Sequence, residues 1–296
     1  MFKNVLVGVD GSPNGRDAVA LASQLLDADG KLTLAHVHAG ALHPLYAVTP
    51  GLLSEEQAGS EQLLEQERAA SSVEAELASV IAVTPGAGLH ERAEEQHADL
   101  IVVGSCSRGA FGRVMLGDDT RAALNGASCA VAVAARGYAA QKKSLATVGV
   151  GYNSSPESEA ALEAAKDVAA ASGASVHALE VVAIPTYAFT GLMPPAIGES
   201  VEVILTEATA RMHGLEGVEG RAVYGLTGEE LASFGNGLDL LVVGSRGYGP
   251  VRRLVLGSTT DFLERNARCS LLVLPRVAAK AVADAAAAGQ SAASPS

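Results

Sequence analysis

The sequence is short of cysteine, of positive charge and of long apolar runs. Three cysteines in 296 residues, none in a Cys-x-x-Cys or other paired spacing, supply neither a disulfide framework nor a zinc site and point to a reducing compartment. Lysine and arginine number 21 against 33 acidic residues, a net charge of -12 that repels nucleic acid and anionic membrane. No apolar run approaches the ~18 residues of a membrane span. The run that follows Met1-Phe-Lys-Asn is too short for a signal-peptide core, so the cytoplasm is the expected location. Three common signatures are missing as well: a Walker A loop, a Rossmann G-x-G-x-x-G after the first strand, and a G-x-S-x-G nucleophile elbow. Any phosphate site must be of another type.

What is present is written twice. Val5-Leu-Val-Gly-Val-Asp-Gly-Ser-Pro13 lies over Val148-Gly-Val-Gly-Tyr-Asn-Ser-Ser-Pro156 without a gap, at an offset of 148 − 5 = 143. Asp99-Leu-Ile-Val-Val-Gly-Ser105 lies over Asp239-Leu-Leu-Val-Val-Gly-Ser245, and Cys129 over Cys269, at an offset of 140. In the first half, short apolar runs at Val5–Val9, Leu32–Val37, Val80–Val83, Leu100–Val103 and Ala130–Ala134 alternate with helical stretches. Those stretches span Pro13–Asp27, Ser54–Ser79, Leu89–His97 and Asp118–Gly126. The second half repeats the order through Val148, Val176, Ala222, Leu240 and Leu271. Alternation of this kind implies α/β architecture: two repeated doubly wound domains, each a five-stranded parallel sheet covered on both faces. The first and fourth runs are the most compactly apolar and have Gly-rich exits, which sets them side by side in a strand order 3-2-1-4-5. The expected domains are 1–135 and 146–276, joined by a small, polar linker at 136–145. An Ala/Ser-rich tail, 277–296, is expected to be disordered. The fifth strands are too apolar to leave an edge bare, and pairing them would join the halves.

Ligands of open parallel sheets bind beyond the carboxyl ends of the strands where the order reverses. That rule sets the loop holding Asp10 or Asn153 across a crevice from the loop opened by Gly104 or Gly244. The second-half loop reads Gly244-x2-Gly247-x9-Gly257-Ser258, and Ser258-Thr-Thr-Asp261 has the form of a capping box. Glycines there let backbone lie against a phosphate, and a helix N-terminus favours an anion. Strand-end glycines are also common as plain turns, Ser258 as a plain cap, and Asp10 as the closer of a turn with Gly11-Ser12-Pro13. Arg246, Arg252 and Arg253 either neutralise phosphate or are merely solvated.

Both halves resemble the universal stress protein family, and residues 2–276 together resemble its tandem two-domain form. In the nucleotide-binding branch of that family, a G-2x-G-9x-G-(S/T) loop holds the phosphates and ribose of ATP. The resemblance therefore implies ATP, with or without Mg2+, held by Gly244, Gly247, Gly257, Ser258 and Thr259. Asn153 stands where Asp is usual, and Val181 follows the second strand. The matching first-half positions are Asp10, Gly104 and Gly117. It also implies a stress-response role, a homodimer of tandem chains and a regulatory protein partner still to be identified.

The copies are unequal. Ser107 stands at the second glycine of the first half, and Asp118 replaces Ser258. A unit charge ~4 Å from a phosphate oxygen costs on the order of 4 kcal/mol at an effective dielectric of ~20, nearly a thousandfold in affinity. Asn153 keeps one acceptor oxygen, for a loss of only ~1 kcal/mol. The second half is expected to bind and the first to be weak or empty. No catalytic residue is assigned, because no base is positioned for an attacking water. An adenine-nucleotide hydrolase or transferase, or a nucleotide-independent partner-binding module, are the alternatives. His36 and His38 share a strand face near His43, but no Cys or carboxylate completes a metal set. Cys129 and Cys269 read as small core residues; Cys106, beside Arg108, is either a reactive thiol or an inert loop residue.

Overall fold

The computed structural model describes residues 1–39, 52–105, 121–123, 125–141, 144–183, 196–245 and 257–275. His43, Cys106, Ser107, Arg108, Gly117, Asp118, Arg246, Gly247, Arg252, Arg253 and the tail at 277–296 lie outside the described residues.

In the first half the chain forms β1 (Phe2–Gly8), α1 (Pro13–Leu25), β2 (Leu26–His38), α2 (Leu52–Ser71), β3 (Glu76–Ile81), α3 (Pro85–Glu95), β4 (Leu100–Gly104) and β5 (Ala130–Ala134). A short helix, α4 (Tyr138–Gln141), precedes the second half. That half comprises β6 (Thr147–Gly151), α5 (Pro156–Ser172), β7 (Ser175–Ala183), α6 (Ala196–His213), β8 (Glu219–Gly225), α7 (Thr227–Phe234), β9 (Leu240–Gly244), α8 (Ser258–Asn266) and β10 (Ser270–Leu274).

The ten strands form one sheet in the order β3-β2-β1-β4-β5-β10-β9-β6-β7-β8. Each half therefore has the expected order 3-2-1-4-5, and every pairing within a half is parallel. The halves join where expected, through antiparallel pairing of β5 with β10, Ala132 opposite Leu272. β1, β4, β6 and β9 are apolar on both faces because helices cover both. Leu21, Leu25, Met212 and the small residues Ala161 and Ala165 pack on one face; Leu89, Leu231 and Leu263 pack on the other. Helices α1, α2, α5 and α6 thus lie on one side of the sheet and α3, α7 and α8 on the other. Cys129 and Cys269 are buried beside the paired edges, and burial pushes both thiols up to about 12.

Two repeated acids at the opposite end of the sheet have a structural task. Asp99 accepts the Lys3 and Asn4 amides at 2.8 and 2.9 Å, and Asp239 accepts those of Ala146 and Thr147 at 2.8 and 3.0 Å. Each fixes the start of a first strand to the fourth.

Three expectations need correction. The helix expected to reach Ser79 ends at Ser71, and the following strand starts at Glu76 instead of Val80. Ser72 adopts φ 53°, and pairing of Glu76–Ile81 with Thr33–His38 overrides the local helical pattern. The third helix starts at Pro85, not Leu89, because Thr84 accepts the Ala87 amide as its N-cap and proline suits the first turn. The first helix ends at Leu25, not Asp27, and the second strand starts at Leu26 instead of Leu32. Within 136–145 lies α4, and buried Asp17 accepts the Gly137 and Ala139 amides at 2.6 and 2.8 Å.

Candidate functional site

β6 leads into a helix on one side of the sheet and neighbouring β9 into a helix on the other. Their carboxyl ends part, and a cleft of about 610 Å³ opens there. That volume falls within the ~300–1,000 Å³ of ordinary small-molecule sites. Its floor is Gly151 and Val243, one wall is Leu179, Val181 and Ala183 of β7, and Leu231 closes the far side. Six of the expected second-half residues meet in it: Asn153, Val181, Gly244, Gly257, Ser258 and Thr259.

The N-termini of α5 and α8 both border the cleft and differ in what satisfies them. At α5, Ser155 accepts the Ser158 amide at 3.2 Å and Glu157 and Glu159 supply negative charge in the first turn. This end is complemented by its own chain. At α8 the cap is Gly257, which has no side chain to accept an amide. The capping box read at Ser258 is thus displaced by one residue: Ser258 is the first helical residue, and Asp261 is one place too far along to close the box. Asp261 is held instead by Arg121 at 2.6 Å and Arg265 at 2.8 Å. The N-cap of α8 thus makes no side-chain capping bond, and this positive end of a helix borders the cleft.

Asn153 holds the loop after β6. Its Oδ1 accepts the Ser155 amide at 3.2 Å, and its own amide donates to Ser158 Oγ at 3.2 Å. Asp10 does the same in the first half, accepting the Ser12 amide at 3.0 Å. Both are turn closers, whatever else they do. Gly104 and Gly244 also have a packing reason. A Cβ on Gly104 would lie 2.2 Å from the Asn14 oxygen, and one on Gly244 would lie 2.7 Å from that of Glu157.

Sequence reasoning missed Tyr152, Leu231 and Thr227. Tyr152 is buried, donates to Glu159, and has its phenol pKa raised by burial first and by Glu159 second. Thr227 begins α7 at the edge of the cleft. At the matching place α3 has Pro85, so the repeat offers no signal for Thr227.

His36 and His38 stack with ring centroids 6.1 Å apart; their hydrogen bonds go to hydroxyls, and His38 Nδ1 also lies 3.6 Å from Glu56 Oε2. His36 Nδ1 lies 2.9 Å from Ser60 Oγ, His38 Nε2 lies 2.9 Å from Ser79 Oγ, and the two hydroxyls are 2.8 Å apart. Among the described residues no group of three or more His, Cys, Asp or Glu could hold a metal ion. Among them, too, no helix is long and apolar enough to cross a membrane.

The fold and cleft define a tandem pair of doubly wound α/β domains with a switch-point pocket in the second. The model of the universal stress protein family matches residues 1–135 and again 145–275. The chain belongs to that family, in its tandem two-domain form. It is 30% identical over 290 residues to a universal stress protein of Mycobacterium tuberculosis, covering 91% of this chain and 96% of the relative. A Thermus aquaticus universal stress protein is 31% identical over 134 residues, 44% of this chain and 97% of its own. The crystal structure of an Archaeoglobus fulgidus universal stress protein superposes with a TM-score of 0.62 at 22% identity, covering 92% of this chain and 98% of that one. This last likeness concerns the fold.

Proposed function

We propose that the second-half cleft binds an adenine nucleotide, ATP with or without Mg2+, and that the protein is a nucleotide-responsive stress regulator and not a catalyst. One observation carries the reading: the positive N-terminus of α8, opened by Gly257 and not by a capping side chain, borders a nucleotide-sized cleft at the sheet's switch point. Gly257, Ser258, Thr259 and Gly247 hold phosphates and ribose in this reading, while Asn153 and Val181 flank the adenosine. The chain divides at 136–145 into a binding half and a half whose Asp118 repels phosphate. A homodimer of tandem chains and a regulatory partner protein complete the reading.

Calorimetry with ATP tests it. Wild type binds one equivalent. Ser258→Asp, which copies the first half's residue into the second, costs nearly a thousandfold, the ~4 kcal/mol of a unit charge beside a phosphate. Asp118→Ser gives a second binding event. Absence of heat at millimolar ATP defeats the proposal in favour of a partner-binding module. Steady phosphate release abolished by Ser258→Asp makes the protein a hydrolase instead.

A further inference from the structure

The antiparallel β5–β10 contact relates the halves by a local two-fold axis, because the residues facing each other at its centre, Ala132 and Leu272, are the same position in the two repeats (272 − 132 = 140). A two-fold contact between identical surfaces sets each residue on the axis against itself. Here the two sides differ at each contact considered below.

At the axis, Ala132 faces Leu272 and both are fully buried. Two first halves would set alanine against alanine and leave a void; two second halves would crowd two leucines into the space of one. Beside it, the buried Ala135 amide donates to Ser270 Oγ at 3.1 Å. The symmetry-related pair is Ala130 and Pro275, which has neither the hydroxyl nor the N–H. First-half pairs would therefore bury an amide with no acceptor, and second-half pairs a hydroxyl facing proline. At the rim, Arg121 meets Asp261, again the same position in each repeat, at 2.6 Å. Like pairs would bring arginine to arginine or aspartate to aspartate.

We infer that this edge is coded for unlike halves: β5 accepts a β10 edge and neither accepts its own kind. The partner it fits is a second half, whether of its own chain or of a second copy that exchanges halves. Every joined pair then contains one first-half crevice and one second-half cleft. The size match and the Ala135–Ser270 bond act most strongly, since both are buried, whereas Arg121 and Asp261 are partly exposed and screened by salt.

The test uses the full-length chain with a protease site inserted between residues 136 and 145, cut after folding. Isotopically labelled and unlabelled cut protein are mixed in mild denaturant, returned to buffer and weighed by native mass spectrometry. First–second pairs of mixed label are expected, without like pairs. Indiscriminate pairing would give like pairs in about half of the complexes and would overturn the inference. In the intact chain, Ala132→Leu and Leu272→Ala should each lower the denaturation midpoint, and together should recover more than half of the combined loss. Strict additivity would remove the size match and refute the code.

Discussion

A Cβ on Gly244 would stand 2.7 Å from the backbone oxygen of Glu157, in the first turn of α5. The helix after the first strand of this half thus lies directly on the end of the fourth, and only glycine leaves room for it. The first half repeats the contact more tightly, at 2.2 Å between the Gly104 position and Asn14. Because backbone is the obstacle, no rotamer change relieves it.

Gly104→Ala and Gly244→Ala should therefore both destabilise the protein, by about 1–3 kcal/mol each as overpacking does, with Gly104→Ala the worse. Urea midpoints check this. The informative outcome is the first-half variant: a stability loss without any change in ATP affinity separates the packing role of the strand-end glycine from a ligand role.

Asn153 and Asp10 close equivalent turns through one carboxyl or amide oxygen. Asn153→Asp should leave stability within ~0.5 kcal/mol, because the acceptor survives, whereas Asn153→Ala should cost about 1 kcal/mol. If Asn153 also touches the adenosine, Asn153→Asp should tighten ATP by up to tenfold in the same calorimetry. An unchanged affinity would confine Asn153 to the turn.

His36 lies on the first-half face that α2 covers. Burial lowers its pKa from 6.5, the neighbouring His38 lowers it further, and Asp10 and Glu56 oppose both. A histidine whose folded pKa is below its unfolded one binds fewer protons when folded. Stability is then complete above about pH 6.5 and is lost as pH falls from there through the folded value, at no more than ~1.4 kcal/mol per pH unit. Denaturation midpoints from pH 7.5 to 5 should fall for wild type and fall less for His36→Gln. Equal slopes would show that His36 takes up no extra proton on unfolding.

Much of this molecule is legible in its sequence because the repeat supplies a control for every inference. The strands at Leu100, Ala130, Leu240 and Leu271 are short apolar runs with no competing helical period, and the register between halves fixes their order. The segment after α2 reads as helix because Glu74-Ala-Glu-Leu-Ala is locally compatible with one, and only pairing with β2 makes it a strand. The second-half cleft is legible through Gly244 and Asn153, which stand at strand exits, and Gly257, which opens a helix. Its walls are not: Leu231 and Thr227 come from α7, whose position over the cleft is a consequence of the third crossover and leaves no local signal. Nor could the sequence distinguish a glycine kept for a ligand from one kept for a helix; the space around Gly244 does.

The linker gives the last prediction. Asp17 is 3% exposed on α1, and its two oxygens accept from Gly137 and Ala139 at 2.6 and 2.8 Å, so the chain leaving β5 is fastened back onto the first half. Its counterpart in the second half, Ala160, has no such acceptor. Hydrogen bonds to a charged group are worth ~1.5–3 kcal/mol each, and removing the carboxylate strands two amides. Asp17→Ala should cost on the order of 3 kcal/mol. Asp17→Asn should recover little, because its amide nitrogen would face one of the two N–H donors. Limited proteolysis supplies the second reading: cleavage between 136 and 145 should accelerate in both variants while the β5–β10 contact, which involves neither oxygen, holds the products together. Separation of the halves on cutting would mean that the Asp17 clasp, and not the strand pairing, unites the two domains.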